Sequence, residues 1–509
     1  MRSKKALYNM TASIGYEVVA VICGLILPRL ILSHFGSSYN GITSSITQFL
    51  SCVALLKGGV GAVTRASLYK PLAEKNTYEI SAIVNATAHF MKKIALIFLG
   101  AIFIFAALYP FLVKEDFEWF FSFTLVLILG ISTFVQYYFG LAYQFLLEAD
   151  QRQYILSSVQ IFSTVLNTVL AAIFIYMGAG IHLVKLGSAI AFSLNPIIIF
   201  AFVRKKYKIN KNVEPNNSAI AQRWDAFAQS VAYFVHNNTD IIVLTCFSNV
   251  KEVSVYTVYN YVIVNLRNII VTFINGFGAA FGNMLAKGEQ KLIETNLKLY
   301  ELIIFGLTSV IYTTAGIMIV PFSLLYTSGV HDVSYDRPVF ALIITVAGAF
   351  SCFRIPYQTI TEAAGHFKQT KNGAIAEASI NIILSVVLVW KFGLIGVAVG
   401  TLAATIFRSF QYAIYLSKNI VKRNIFIFIF HIIINIVVAV LTFIISHFIL
   451  TFEMPNFLWW IFKSILVFVI SSAISFILHI IFYKKDMILL KNKLIALLKS
   501  KLGKKQESK

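Results

Sequence analysis

The segment Ile425–Leu450, IFIFIFHIIINIVVAVLTFIISHFIL, contains 26 residues and no Asp, Glu, Lys or Arg. As an α-helix it would be about 39 Å long, at about 1.5 Å per residue. That length exceeds the roughly 30 Å of hydrocarbon in a bilayer. Similar apolar runs occur at Ile94–Tyr109 and Ile465–Tyr483. The sequence therefore predicts a membrane protein.

The composition of the whole chain agrees with this prediction. Of the 509 residues, 58% are hydrophobic and 13% are charged, whereas about 25% are charged in a typical soluble domain. The net charge of +21 lies in short segments between apolar runs, which indicates topology signals and not a nucleic-acid partner. The four cysteines lie in apolar runs without CxxC spacing, so we expect no disulfide framework, no metal and no cofactor.

Polar breaks between the apolar windows predict an all-α polytopic fold of about fourteen transmembrane helices. Several predicted helices contain Gly, Pro or polar side chains, which are tolerated where neighbouring helices or a wet cavity satisfy the backbone. We place the helices at residues 12–34, 41–66, 88–112, 119–147, 154–178, 181–203, 225–247, 253–281, 297–321, 338–363, 370–390, 394–417, 425–450 and 456–482.

The distribution of basic residues predicts the orientation, because Lys and Arg concentrate in short cytoplasmic loops. If both termini are cytoplasmic, the cytoplasmic segments contain 31 of the 43 basic residues and the outer loops contain four. We therefore expect a multi-pass protein of the bacterial cytoplasmic membrane with both termini inside. The other eight basic residues lie within or at the ends of predicted helices: Arg29, Lys57, Arg65, Lys185, Arg267, Arg354, Arg408 and Lys463.

A weak internal repeat at an offset near 213 residues divides the chain. Pro28–Phe35 aligns with Asp240–Phe247, and Asn167 aligns with Asn381. Because each repeat contains six helices, the two copies should cross the membrane in the same sense. The predicted domains are an N-lobe at 1–203, a basic cytoplasmic linker at 204–224, a C-lobe at 225–417, helices 13 and 14 at 418–483, and a basic cytoplasmic tail at 484–509.

Several short motifs resemble those of polysaccharide flippases. They are His34–Gly41 (HFGSSYNG), Lys57–Gly61 (KGGVG) with Arg65, Asp240–Leu244 followed by Ser254 and Tyr256, Glu362–Gly365 (EAAG), and Asn381 with Gly393–Ala398 (GLIGVA). Over roughly residues 10–417 the chain resembles the Wzx-like, O-antigen type branch of the multidrug/oligosaccharidyl-lipid/polysaccharide exporter superfamily.

The resemblance implies a flippase that moves an undecaprenyl-pyrophosphate-linked oligosaccharide to the outer leaflet by alternating access. Many members of that branch have twelve helices. A count of fourteen resembles lipid II flippases instead, so the kind of lipid-linked sugar stays open.

Four basic residues lie well within predicted helices 2, 8, 10 and 12, namely Lys57, Arg267, Arg354 and Arg408. A charge near the bilayer centre usually faces a wet cavity or a partner. We predict that these cations bind the substrate, because guanidinium groups match phosphate oxygens. Polar side chains expected in the same cavity are Asn260, Asn268, Asn275, Gln358 and Tyr412. The alternative is that each cation pairs with an acid and links helices.

Three acids within predicted helices are Glu17, Asp240 and Glu377. A buried carboxylate is a candidate carrier of a coupling H+ or Na+, or a permanent ion-pair partner of an arginine. Glu148 lies at a predicted helix end beside Arg152, where we expect a structural role.

The sequence contains no GxxxxGK[ST], HExxH or GxSxG motif, so we expect no enzyme. The expected function is an ion-coupled, non-hydrolytic flippase for a polyprenyl-pyrophosphate-linked oligosaccharide. Its partners would be the lipid-linked glycan and membrane lipids, and we expect a monomer. The alternatives are a lipid II-type flippase, a small-molecule multidrug antiporter, and a membrane glycosyltransferase or polymerase. A glycosyltransferase or polymerase usually needs a large outer loop, which this sequence lacks.

Overall fold

A computed structural model of the chain describes residues 2–53, 56–113, 116–220, 238–274, 277–493 and 495. Every regular element in these ranges is a helix. Eleven helices among them are long and apolar enough to cross a membrane. The predicted all-α polytopic membrane fold is confirmed.

The helices are numbered here in chain order. They are α1 (Arg2–Phe35), α2 (Ser37–Val53), α3 (Leu56–Glu74), α4 (Thr77–Leu108), α5 (Trp119–Val135), α6 (Leu141–Ala149), α7 (Gln153–Tyr176), α8 (Ile181–Tyr207), α9 (Asn238–Phe247), α10 (Val250–Ile274), α11 (Phe277–Ala286), α12 (Gln290–Tyr326), α13 (Pro338–Phe353), α14 (Ile355–Ala363), α15 (Phe367–Phe392), α16 (Leu394–Asn419), α17 (Phe426–Ile449) and α18 (Phe457–Phe482).

The fourteen predicted spans can be compared with these helices. Eleven of them coincide with the eleven membrane-length helices. The predicted span 41–66 is divided between α2 and α3, and the span 253–281 is divided between α10 and α11. Only residues 238–247 of the span 225–247 lie within the described ranges, where they form α9.

Three helices begin well before their apolar windows. α1 begins at Arg2 and not at 12, α4 begins at Thr77 and not at 88, and α12 begins at Gln290 and not at 297. The start of α4 is fixed by Asn76, whose side chain accepts a hydrogen bond of 3.1 Å from the backbone N–H of Glu79. Such a cap satisfies one of the free N–H groups at a helix start. Helical turns composed of polar residues have low hydropathy, so the apolar windows did not include them.

The membrane-length segment Pro338–Ala363 is broken two residues before Pro356. α13 ends at Phe353 and α14 begins at Ile355, with Arg354 between them. Proline has no N–H to donate to the preceding turn, which interrupts the helical hydrogen bonds at this point. The break places the Arg354 side chain at the junction of the two helices.

By its contacts the chain divides into two compact units. The first unit comprises Met1–Thr257 and Thr327–Val333, and the second comprises Val258–Tyr326 and Ser334–Lys509. In the first unit α1 packs on α7, α7 packs on α8, and α5 packs on both α4 and α8. A buried cluster that includes Ile46, Phe98 and Leu125 forms part of its core.

The turn between α1 and α2 explains part of the motif His34–Gly41. Gly36 has φ +88°, a left-handed conformation that favours glycine. Asp332 accepts hydrogen bonds from the backbone N–H of Ser37 at 2.7 Å and from its hydroxyl at 2.6 Å. A carboxylate at a helix start is favourable because of the helix dipole. A Cβ on Gly41 would lie 1.6 Å from the carbonyl oxygen of Val250, so this position requires glycine.

In the second unit α15 and α16 form a close antiparallel pair, and α13 packs on α16. Helix α12 packs against α13, α17 and α18. A Cβ on Gly396 of α16 would lie 2.4 Å from the carbonyl carbon and oxygen of Leu388. The glycine therefore permits the backbones of α15 and α16 to approach closely.

The predicted linker 204–224 begins within α8, which ends at Tyr207. The segment after it is held against α4, because the amide of Asn85 donates hydrogen bonds of 3.0 Å to the carbonyl oxygens of Asn210 and Val213. Residues 221–224 lie outside the described ranges. The predicted domain boundaries stay predictions.

Candidate functional site

Two arginines of the second unit share one carboxylate. Arg354 Nη1 lies 2.6 Å from Glu377 Oε1, and Arg408 Nε lies 3.3 Å from Glu377 Oε2. The side chains of Arg354, Arg408 and Glu377 are 9%, 6% and 5% exposed, respectively. Glu377 thus connects the α13–α14 junction, α15 and α16 inside the unit. This is the pairing that the ion-pair alternative describes.

Further hydrogen bonds fix the Arg408 guanidinium. Its Nη1 donates to the carbonyl oxygen of Thr370 at 3.0 Å and to Gln411 Oε1 at 2.6 Å, and its Nη2 donates to the Tyr412 hydroxyl at 2.9 Å. The guanidinium also lies over the Tyr412 ring, 4.2 Å from the centroid. On the α15 side, a Cβ on Gly373 would lie 2.4 Å from Arg408 Nη1. Tyr412 is therefore part of the site.

Arg267 on α10 is a third guanidinium in the same electrostatic environment. It interacts electrostatically with Glu377 and with Cys352. Its side chain is half-buried, and its Nε is buried without a hydrogen-bond partner. No ion pair or hydrogen bond of Arg267 occurs within the described part of the chain. Arg267, Arg354, Arg408 and Glu377 are called the arginine cluster below, and three cations against one carboxylate leave it two positive charges in excess.

The remaining residues predicted to bind substrate are distributed as follows. Asn260 is half-buried and Asn268 is exposed, both on α10. On α14, Gln358 donates a hydrogen bond of 2.7 Å to Glu362. The side chain of Lys57 and the whole of Asn275 lie outside the described residues.

The other predicted acids belong to the first unit. Asp240 on α9 accepts a hydrogen bond of 2.8 Å from the Tyr256 hydroxyl. Glu17 is exposed on α1. Glu148 pairs with Arg65 at 2.6 Å, whereas Arg152 pairs with Asp150 at 2.5 Å. The structural role expected for Glu148 therefore involves Arg65 and not Arg152.

One buried ion pair was not expected from the sequence. Arg423 Nη1 donates to Glu301 Oε2 at 2.7 Å, and Arg423 Nη2 and the Tyr357 hydroxyl both contact Glu301 Oε1. Glu301 on α12 is fully buried, whereas the charge pattern places Arg423 in a cytoplasmic loop. The available signal was an acid within the otherwise uncharged run Leu299–Phe305. Because acid and base balance here, this pair is a structural link and leaves no excess charge.

Solved structures of transporters share this fold, and three of them are described here. The lipid II flippase MurJ in an inward closed conformation matches with a TM-score of 0.70 at 15% identity, over 94% of this chain and 99% of that chain. An inward-facing multidrug resistance MATE family transporter of the MOP superfamily matches with a TM-score of 0.60 at 14% identity. The match covers 78% of this chain and 93% of that chain. A mutant of the Vibrio cholerae MATE transporter VcmN matches with a TM-score of 0.53 at 15% identity. The match covers 84% of this chain and 99% of that chain.

Neither a protein-family model nor a curated protein sequence matches the chain. The similarity of this chain to known proteins is therefore structural, and at these identities it concerns the fold. MurJ and the MATE transporters are flippases and transporters of the multidrug/oligosaccharidyl-lipid/polysaccharide exporter superfamily. This chain has the fold of those transporters.

Proposed function

We propose that this protein is a non-hydrolytic flippase for a polyprenyl-pyrophosphate-linked, anionic oligosaccharide. The observation that supports this most strongly is the excess positive charge of the arginine cluster in the second unit. It would act as a monomer in the bacterial cytoplasmic membrane by alternating access, with both termini on the cytoplasmic side.

Electrostatics gives the reason for an anionic substrate. Charges inside a membrane protein are costly, so they are usually compensated by a partner or by water. Glu377 compensates one of three guanidinium groups, and Arg267 has no counter-ion in the described part of the chain. A pyrophosphate supplies the missing negative charge, and its oxygens match the forked N–H donors of arginine. We assign substrate binding to Lys57, Arg267, Arg354 and Arg408.

The shared carboxylate suits a binding site that must also release its ligand. A substrate phosphate and Glu377 would compete for Arg354 and Arg408, so the arginines keep a counter-ion when the substrate leaves. Protonation of Glu377 would favour the substrate in this competition. Glu377, Asp240 and Glu17 are thus the candidates for coupling to H+ or Na+.

The structural neighbours also include multidrug transporters, so a small-molecule antiporter is the competing proposal. Cationic drugs would be repelled by a cluster with two positive charges in excess. The charge of the arginine cluster therefore favours a lipid-linked anion over a drug. A lipid II-type substrate has the same pyrophosphate chemistry, and the arginine cluster does not distinguish it from other polyprenyl-linked glycans.

The experiment is a translocation assay with the purified protein in liposomes. The substrate is a fluorescent polyprenyl-pyrophosphate oligosaccharide, and translocation is measured as the rise in the fraction bleached by a membrane-impermeant reductant. We expect Arg267→Gln to fold normally and to reduce the rate about 10-fold or more, since a hydrogen bond to a charged group contributes about 1.5–3 kcal/mol. Arg267→Lys should also lose most of the activity if the guanidinium binds in a bidentate manner.

The matched control is Lys463→Gln. Lys463 also lies in a membrane helix, but its ammonium donates to the carbonyl oxygen of Phe452 at 3.2 Å. This variant should transport at the wild-type rate. Full activity of Arg267→Gln, or equal transport of an uncharged polyprenyl glycan, would contradict the proposal. Uptake of a cationic dye in place of the glycan would favour the multidrug antiporter.

A further inference from the structure

Lys185 of the first unit is a buried cation without a partner. It lies one turn after the start of α8 and is 9% exposed. A lysine near the end of a membrane helix usually extends its ammonium to the polar interface. This side chain is instead enclosed by the unit, and no ion pair or hydrogen bond of Lys185 occurs among the residues that the structure describes.

The side chain lines a cavity of about 240 Å³ within the first unit. Helices α1, α2, α5, α7 and α8 contribute to its wall. The polar groups that line it with Lys185 include Thr47, Ser51, Ser132, Thr133 and Asn167. No carboxylate is found in its described lining. The cavity is therefore polar and positively charged.

Several of these polar groups are not used by the protein. Asn167 is 4% exposed, and its Oδ1 is buried without a hydrogen-bond partner. The hydroxyls of Ser132 and Thr133 form no hydrogen bond within the described ranges. Hydroxyls can donate, and a side-chain amide presents either its oxygen or its NH₂ group by rotation. An ammonium and three uncommitted polar groups thus face one partly open cavity.

We propose that this cavity binds a small oxyanion, as a phosphate or a carboxylate group. A buried cation is stable when an anion and hydrogen bonds compensate it, and the lining offers hydrogen-bond donors and no negative group. The volume is below the range of about 300–1,000 Å³ typical of pockets for drug-sized ligands. The ligand is accordingly a single anionic group or one acidic sugar residue. The site goes beyond the proposed function, since it belongs to the first unit and the arginine cluster belongs to the second.

Calorimetric titration of the purified full-length protein in lipid nanodiscs tests the site. The probes are inorganic phosphate, glucuronate as an acidic sugar, and glucose as its neutral counterpart. We expect phosphate or glucuronate to bind and glucose not to bind. Preference for phosphate would identify a phosphate group as the ligand, and preference for glucuronate would identify a sugar carboxylate. Lys185→Met should weaken binding at least 10-fold, whereas Lys185→Arg should retain it.

A second variant introduces a negatively charged side chain of the protein into the cavity. Asn167→Asp would place a carboxylate in the cavity that Lys185 lines, so it should abolish binding of both anions while the protein stays folded. Lys463→Met is the control for loss of a membrane lysine elsewhere and should bind as the wild type does. The titrations are repeated in Arg267→Gln, which separates this site from anion binding at the arginine cluster. Unchanged binding in both Lys185→Met and Asn167→Asp, or no binding by the wild type, would overturn the proposal.

Discussion

At the scale of single residues, Glu377 has the largest expected effect on stability. It is the ion-pair partner of Arg354 and of Arg408 inside the second unit. Removing one partner of a buried ion pair costs about 3–5 kcal/mol, because the remaining charge is left uncompensated. We expect Glu377→Gln to lower the free energy of unfolding by about that amount. Thermal unfolding in detergent micelles would show this as a lower Tm.

A triple variant provides the internal control for this prediction. Replacing Arg354 and Arg408 by Met in the Glu377→Gln background removes the uncompensated charges as well. Buried ion triads replaced by apolar side chains often keep or gain stability, so the triple variant should recover part of the lost Tm. A wild-type Tm for Glu377→Gln alone would show that the carboxylate contributes no net stability.

Arg267 differs from its two neighbours in the cluster, although all three are arginines in membrane helices. Arg354 and Arg408 form ion pairs with Glu377, whereas the Arg267 side chain forms no ion pair within the described residues. Substitutions of these residues should therefore differ in whether they lower the stability or the transport rate. Neutralising Arg267 is expected to lower the transport rate with little effect on stability, whereas changes at Glu377 should lower both stability and the transport rate.

At the scale of helices, the close pair of α15 and α16 depends on small residues at their contact. A Cβ on Gly396 would lie 2.4 Å from backbone atoms of Leu388, and a backbone cannot move aside as the end of a flexible side chain does. We expect Gly396→Ala to destabilise the protein by about 1–3 kcal/mol, the usual cost of overpacking. A lower Tm in detergent is the measurement.

Gly100→Ala is the matched control, since it makes the same change in α4. A Cβ there would have no atom within 4 Å. Alanine is favoured over glycine in helices by about 1 kcal/mol, so this variant should be as stable as the wild type or more stable. Equal Tm values for the two alanine variants would show that α15 and α16 tolerate a wider separation.

At the scale of the whole molecule, the charge pattern predicts the membrane orientation, and cysteine labelling tests it. The loop after α8 carries the strongest cytoplasmic charge signal of any internal segment, and Asn217 within it is exposed. We expect Asn217→Cys, in a background without the four native cysteines, to resist a membrane-impermeant thiol reagent in intact cells. It should react after the membrane is permeabilised.

Lys391→Cys tests the opposite side of the membrane. Lys391 is exposed at the end of α15 and belongs to the predicted outer loops. This cysteine should react in intact cells. Labelling of residue 217 from outside would contradict the assignment of the termini and of every loop, because all of them follow from the same charge pattern.

The membrane class, the positions of most spans and the presence of charges inside them follow from the amino-acid sequence alone. These properties are local. The length of an apolar segment such as Ile425–Leu450 depends only on consecutive residues. A lysine or arginine within such a segment is likewise identified without knowing which helices pack against it. The helix break before Pro356 was predictable for the same reason, since proline lacks its own N–H.

Which charges are compensated depends instead on the tertiary packing of the helices. Arg354 and Glu377 are 23 residues apart, and Arg423 and Glu301 are 122 residues apart. Their contacts depend on which helices pack together and on which face, and helix periodicity alone does not specify that. The same holds for Lys185, which hydropathy describes as one more charge near a helix end. Its cavity exists because five helices of the first unit leave a polar space around an ammonium that none of them neutralises.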